Sequence, residues 1–252
     1  MVHQAARRVL ALCALLLNVC AAAQAQPWED KLYLNASLGF ALSSRTFTET
    51  QTPVIYDEHA SVTTTHNIDG GMMPIDVAGG ARIWRGLGVG GAFTWRSTAE
   101  TATVDARVPH PTLFGQPRFV SVDTPLNHSE WALHLDALYV VPISPRLDLT
   151  VFGGPSFVSV TQDLVTNIQI GESSPTFATV DIAKVGTVTE TERALGFSVG
   201  GDVTYFLTRL IGVGATMRYV SAAVDFPVAG GGTARDDAGG LQIAFGARIR
   251  MR

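Results

Sequence analysis

Cysteine is nearly absent from this sequence. Its two copies, Cys13 and Cys20, both lie in the first 25 residues. That stretch reads as a secretory signal: Arg7 and Arg8 give a positive start, Val9 to Val19 a short apolar run, and Ala23-Gln24-Ala25 a small-x-small cleavage site. Lipid attachment at Cys20 is disfavoured, because Val19 stands where a small residue is needed. Residues 1–25 are therefore expected to be removed. The mature chain, 26–252, would carry no thiol, which excludes disulfides and cysteine metal sites.

Three other shortages narrow the class further. No apolar run approaches the ~20 residues that a spanning helix requires. A closed barrel can still cross a bilayer, because strand pairing satisfies every backbone group. Lysine is confined to Lys31 and Lys184, although arginine is common. A water-facing surface normally mixes lysine with glutamate, so the scarcity suggests a surface that largely faces something else. Basic excess is absent too. Losing Arg7 and Arg8 takes the formal charge from −4 to −6, and no nucleic-acid partner is expected. There is no linker, low-complexity block or long internal repeat, and the length suits one domain.

What is present is period-two alternation, in eight segments. They span about 32–42, 75–83, 87–97, 130–141, a stretch starting at Leu147, 195–205, 211–219 and 241–251. The last is the clearest: Leu241, Ile243, Phe245, Ala247, Ile249 and Met251 alternate with Gln242, Ala244, Gly246, Arg248 and Arg250. Long polar stretches follow the odd-numbered segments, and very short turns follow the second, fourth and sixth. That asymmetry fits an up-and-down barrel with tight turns at the periplasmic end.

Alternation alone does not say which face is wet; a soluble up-and-down barrel buries its apolar face. Three features point to the inverted, membrane arrangement. The polar face carries Asp76, Glu130, Asp136, Asp148 and Asp202 against Arg82, Arg96, Arg218 and Arg248, with His134 and many small residues between them. An eight-stranded lumen is just filled by side chains, and arginine's planar fork suits carboxylate pairs there. On the apolar face, Phe40, Trp95, Trp131, Phe157, Phe197 and Tyr219 fall toward the long-loop end, and Tyr139 and Tyr205 toward the short-turn end, as two aromatic girdles would. Each stripe also fits the ~9–11 residues of a tilted spanning strand.

Together with Val151-Phe152-Gly153-Gly154-Pro155-Ser156-Phe157 and Gly200-Gly201-Asp202-Val203-Thr204-Tyr205, these strands resemble the outer-membrane β-barrel domain family that includes the OmpA membrane domain, OmpX and OmpW. The resemblance implies an all-β, eight-stranded transmembrane barrel in the outer membrane of a Gram-negative-type bacterium. It also implies a monomer inserted by the barrel-assembly machinery, in contact with outer-membrane lipid and lipopolysaccharide. It implies no single activity. Family members usually end in an aromatic residue, whereas this sequence ends Met251-Arg252. Pro155, beside Gly153 and Gly154, is expected to mark a bulge in the fifth strand.

Candidate chemistry is sparse. Gly86-Leu87-Gly88-Val89-Gly90-Gly91 matches a dinucleotide-binding pattern, but that motif needs a following helix and an alternating strand follows instead. The glycines are expected to relieve crowding inside the barrel. His128-Ser129-Glu130 with His134 is the only hint of a triad, as in lipid A deacylases. Neighbours on a strand point to opposite faces, which separates Ser129 from His128. His128 is expected at a loop edge and His134 hydrogen-bonded in the lumen. His66, His110, His128 and His134 lack metal-ligand spacing, and Glu49, Asp57, Glu58 and His59 read as a solvated loop. No metal or cofactor is expected. The leading expectation is a non-enzymatic barrel with a structural or surface-interaction role through its outer loops. A small-solute channel like OmpW is the alternative, and a lipid A-modifying enzyme a more distant one. Val104-Asp105-Ala106-Arg107-Val108 and Phe119-Val120-Ser121-Val122 also alternate, and are expected to extend the wall and offer an edge to a surface partner.

Overall fold

The structure is a computed structural model describing residues 31–70, 73–229 and 231–251. The expected signal, 1–25, and both cysteines lie outside the described residues. The described chain is all β: β1 (Leu32–Ala41), β2 (Arg45–Gln51), β3 (Val54–Ile55), β4 (Glu58–His59), β5 (Ser61–Ile68), β6 (Ile75–Trp84), β7 (Leu87–Val108), β8 (Arg118–Ser144), β9 (Leu147–Glu172), β10 (Val180–Phe206), β11 (Ile211–Pro227) and β12 (Thr233–Met251). Eight of these close a ring in the order β7-β6-β1-β12-β11-β10-β9-β8, with β8 returning to β7. Every pairing is antiparallel.

The spanning segments turn their apolar residues outward. Leu133, Leu135, Phe245 and Phe197 are exposed, Leu135 by 65%. Asp76, Asp136, Asp202, Arg218 and Arg248, on the opposite parity, are buried. With hydrocarbon outside, exposure of these side chains is favourable rather than costly.

The stretches expected as long loops are largely strand: 104–108 and 119–122 extend the wall as expected, and the rest corrects the expectation. β7 and β8 stay paired from Leu87↔Tyr139 out to Val108↔Arg118. The supposed solvated first loop contains β2 and β5, with β5 paired to the outer half of β7 from Asn67↔Thr101 to Ser61↔Arg107.

Along β7 and β11 the apolar parity reverses with height. On β7, Leu87, Val89, Phe93 and Trp95 point out, while farther along Ala102, Val104, Ala106 and Val108 point in and are buried. On β11, Val213, Met217 and Tyr219 are exposed, whereas Val220, Ala222, Val224 and Phe226 are buried. The backbone continues unbroken and the surroundings change. Outside the bilayer the hydrophobic effect pulls apolar groups inward, and within it there is no water to escape. The reversal, across Arg96 to Glu100 on β7, marks the outer boundary of the membrane.

Beyond that level the wall folds into a second storey. Pairing between β8 and β9 ends at His128↔Gln162, and between β10 and β11 at Phe197↔Ser221. The freed sheets then pack inner face to inner face. One apolar cluster joins Phe47, Val158, Val160, Leu164, Val224 and Phe226. A second joins Val62, Ala102, Val104, Leu126 and Val165.

The bulge expected at Pro155 is not found. Pro155 stays in register with Phe197 on β10. The β8–β9 ladder skips Leu135 and Asp136 and resumes in the same register at His134↔Ser156. A missing proline N–H is tolerated where one ladder is interrupted, with no extra residue needed. The register shifts of β10 against β9 lie between Ile182 and Lys184 and between Gly186 and Thr187, in the outer storey.

Candidate functional site

The lumen is occupied by side chains from facing strands. Arg218 on β11 donates from Nη1 to Asp136 Oδ2 at 2.9 Å and lies 3.7 Å from Asp76. Its guanidinium stacks over Phe152, 4.5 Å from the ring centre. Ser198 donates to the other Asp136 oxygen at 3.0 Å. Arg248 on β12 holds Asp202 through Nε at 3.0 Å and Nη2 at 2.5 Å, and donates from Nη1 to Ser37. Thr204 and Thr216 each donate to Asp202 at 2.6 Å. Asp202 thus accepts from four groups, as a buried charge requires. His134 meets Ser156 at 2.7 Å and Thr94 at 3.2 Å.

Two candidate residues sit apart from this cluster. Asp148 lies near the short-turn end, 3.6 Å from Arg250. Arg82 faces Gly88 across the ladder and is half-buried. Tyr33, which sequence reasoning passed over, fills the space above Gly80 and Gly90. A Cβ on Gly90 would lie 2.5 Å from its hydroxyl, so a large inward side chain on β1 is matched by its absence on β6 and β7. A cavity of about 50 Å³ lies beside Asp76, Asp136 and Arg218, and one of about 20 Å³ beside Arg96 and Glu130. The larger has room for a few waters.

At the membrane boundary a second layer closes the barrel. Arg96 donates from Nε to Glu130 Oε2 at 2.9 Å and from Nη2 to the Gly239 carbonyl at 2.7 Å. Arg45 bonds Glu130 as well, and grips Asp236 through Nε at 2.8 Å and Nη2 at 3.1 Å. Gly239 sits at φ +103°, which turns its carbonyl toward both arginines. A Cβ there would meet Val220, so only glycine suits the position. His128, expected at a loop edge, is instead fully buried in this layer, 2.7 Å from Glu130 and 2.5 Å from Gln162. Its strand continues outward, so an inward-pointing residue here is roofed by the second storey. Ser129 points the other way, its hydroxyl reaching the Arg96 carbonyl, and the adjacent-residue triad is not assembled.

The network continues into the outer storey. Gln162 donates to Glu100 at 2.6 Å, Glu100 meets His66 Nδ1 at 2.7 Å, and Glu49 lies 3.4 Å from Nε2. Glu49 also accepts from the Val165 amide. It is therefore buried rather than solvated, because β2 turns it inward at the opposite parity to Thr48 and Thr50. Phe47 stacks on the His66 ring at 4.3 Å. Arg45, Glu49, Glu100, Gln162 and Asp236 were missed as site residues. Glu100, Gln162 and Asp236 are identified by the inward parity of β7, β9 and β12 once those strands are extended, and Arg45 and Glu49 by sharing the parity of Phe47 and Gln51 on β2.

Burial alone would lower the His66 pKa, but the hydrogen bonds and charges of Glu100 and Glu49 outweigh it and the pKa is raised above 6.5. A raised folded pKa stabilises fully below the unfolded value, and the contribution is lost as pH rises through the folded one. Comparing wild type with His66→Gln by urea unfolding should give a larger gap at pH 5.5 than at pH 9. An equal gap at both would remove His66 as a charged member of the network.

The outward aromatics form two levels. Trp95 pairs with Trp131, which lies 5.7 Å from Phe157, and Phe197 lies 6.2 Å from Tyr219. With Phe40 they occupy the height at which parity reverses. Tyr139 and Tyr205 are exposed near the short turns. An eight-strand ring, apolar toward a band of about bilayer height and ionic inside, meets the physical requirements of a transmembrane barrel. The model of the outer membrane protein beta-barrel domain matches residues 11–248. The chain belongs to that family. This outer-membrane β-barrel is accordingly located in the outer membrane of a Gram-negative-type bacterium. No curated protein sequence matches it. Among solved structures it is similar to neisserial surface protein A, with 12% identity, 87% of this chain and 97% of that chain covered, and TM-score 0.43. It is also similar to OprG of Pseudomonas aeruginosa (10%, 88% and 96%, 0.43) and to the protease OmpT of Escherichia coli (9%, 90% and 98%, 0.49).

Proposed function

We propose that this barrel is a non-enzymatic, monomeric surface-interaction protein. The observation that carries the reading is a bare strand edge. β10 from Val180 to Gly196 pairs only with β9, and among the described residues no strand takes its other side. Both faces of this stretch are partly or fully exposed, and Thr187, Val188 and Thr189 face solvent. A row of free backbone donors and acceptors, held up by a packed sandwich, fits an extended polypeptide of a surface partner that adds a strand. The lumen supports the same reading, since two layers of ion pairs and an apolar roof oppose solute flow. Insertion by the barrel-assembly machinery and contact with lipopolysaccharide go with it.

Deleting residues 166–191 removes most of that edge and leaves the spanning strands intact. Cells carrying the shortened protein should keep its heat-modifiable gel mobility and lose adhesion to the surfaces that wild-type cells bind. Loss of insertion, or unchanged adhesion, would defeat this division of labour. In planar bilayers the wild type should show little current, whereas Arg96→Gln or Arg218→Gln should raise it by loosening a layer of the plug. Steady open channels from the wild type would favour the small-solute channel instead.

A further inference from the structure

The two ends of the barrel differ in their balance of exposed charge. At the outer end, among the described residues, seven exposed aspartates, Asp57, Asp69, Asp105, Asp123, Asp181, Asp225 and Asp237, outnumber four exposed cations, Arg107, Lys184, Arg193 and Arg235, so the sign there is mixed with an acidic excess. At the short-turn end, the exposed ionisable side chains among the described residues are Lys31, Arg85, Arg146 and Arg209, all cationic. Asp148, the acid on that side, is buried.

The arrangement follows from topology. An eight-stranded up-and-down barrel has four corners at its periplasmic end. Here these are the β6–β7, β8–β9 and β10–β11 turns, and the place where β1 begins beside the end of β12. Each corner holds one exposed cation: Arg85, Arg146, Arg209 and Lys31 respectively. Each also exposes an apolar neighbour, namely Trp84, Ile143, Leu210 and Leu32. Arg85 lies over the Trp84 ring at 4.7 Å, which keeps its guanidinium on the outer circumference and out of the lumen. A cation beside an apolar anchor at the edge of the hydrocarbon band is suited to a lipid, with the anchor among acyl chains and the charge at the headgroup.

We propose that this periplasmic rim binds the anionic phospholipid headgroups of the inner leaflet, one corner at a time. The even spacing around the circumference favours annular lipid over a compact acidic protein, which would need the cations gathered on one side. The outer end, where exposed aspartates outnumber and neighbour the exposed cations, lacks such purely cationic corners.

The test reconstitutes the full mature protein in phosphatidylcholine vesicles containing a spin-labelled phosphatidylglycerol or phosphatidylcholine probe, and measures how much of each is motionally restricted at the protein surface. Wild type should favour phosphatidylglycerol roughly two- to fivefold at low salt, and the preference should fall toward unity at about 1 M salt. The combined Lys31→Gln, Arg85→Gln, Arg146→Gln and Arg209→Gln variant should show no preference while keeping heat-modifiable mobility. Equal restriction of the two probes by wild type, or a preference that survives in the variant, overturns the proposal. If the variant does not insert, the salt titration of wild type decides alone. Co-sedimentation of wild type with purified peptidoglycan, lost in the variant and unaccompanied by any lipid preference, would assign the rim to the cell wall and overturn it too.

Discussion

Replacing Arg248 with Met should destabilise the barrel by about 3–5 kcal/mol, and adding Asp202→Asn should recover most of the loss. Arg248 is among the largest fully buried side chains of the protein, and it supplies two of the four donors to Asp202. Removing it alone leaves a carboxylate in a sealed lumen with only the Thr204 and Thr216 hydroxyls. Breaking a buried pair costs about that much, mainly through the charge left behind. Neutralising the partner removes that charge, and the amide can still bond to both threonines. The measurement is reversible urea unfolding of the two variants and of Asp202→Asn alone, analysed as a double-mutant cycle. The small cavity beside Arg218 limits how much water can enter to solvate the orphan. If Arg248→Met costs less than about 1 kcal/mol, the lumen is wetter than its packing indicates and the plug reading weakens with it.

The spanning half of this molecule was legible in the sequence because two simple periodicities coincide there. Leu241 to Met251 alternates without a break, and its polar members, Gln242 and Arg248, land inside as the parity requires. The pairing of individual charges was not legible. Asp76, Asp136 and Arg218 come from β6, β8 and β11, and only ring closure, shear and side-chain reach decide that Arg218 lies between the two aspartates. The outer half was legible only in part, for a different reason. Val104, Ala106 and Val108 alternate as clearly as the spanning strands, but on even numbers, whereas Leu87, Val89, Phe93 and Trp95 lie on odd ones. That stretch was expected to extend the wall, and β7 does run on to Val108, but the change of parity between the two stripes was not read. Read as one strand passing from hydrocarbon into water, the change of parity is what the solvent dictates. Glu49 and His128 were lost to the same misreading, since a residue's parity carries information only after its strand has been extended far enough. The bulge at Pro155 failed more simply: an imino nitrogen needs a gap in one ladder, and β8 provides it at Leu135 and Asp136.

Phe226→Ala should unlock the outer storey and leave the membrane barrel standing. Phe226 is fully buried in the apolar cluster that holds the β11–β12 tip against β9 and β2, 6.3 Å from the Phe47 ring. Truncating a phenylalanine in such a core costs about 3–5 kcal/mol. The β11–β12 tip, Ala222–Pro227 and Thr233–Ala238, has no ladder to β10 or β2 to share that loss. The spanning strands are joined by closed ladders and bounded by lipid, so they do not feel it. The opening is therefore local. Protease cleavage near residues 228–233 should accelerate by about a hundredfold when opening is fast relative to cutting, as expected from the lower end of that energy range. Heat-modifiable gel mobility should be unchanged, because it reports the barrel alone. The bilayer experiment adds a further constraint. Opening the tip takes Asp236 from Arg45, but Arg96 and Glu130 stay bonded to each other within the barrel wall, so current should rise only slightly in Phe226→Ala, and further when Arg96→Gln is added. Loss of the barrel's mobility shift in Phe226→Ala would show that the two storeys fold as one unit, and the division between a lipid-facing half and a water-facing half would then describe polarity but not cooperativity.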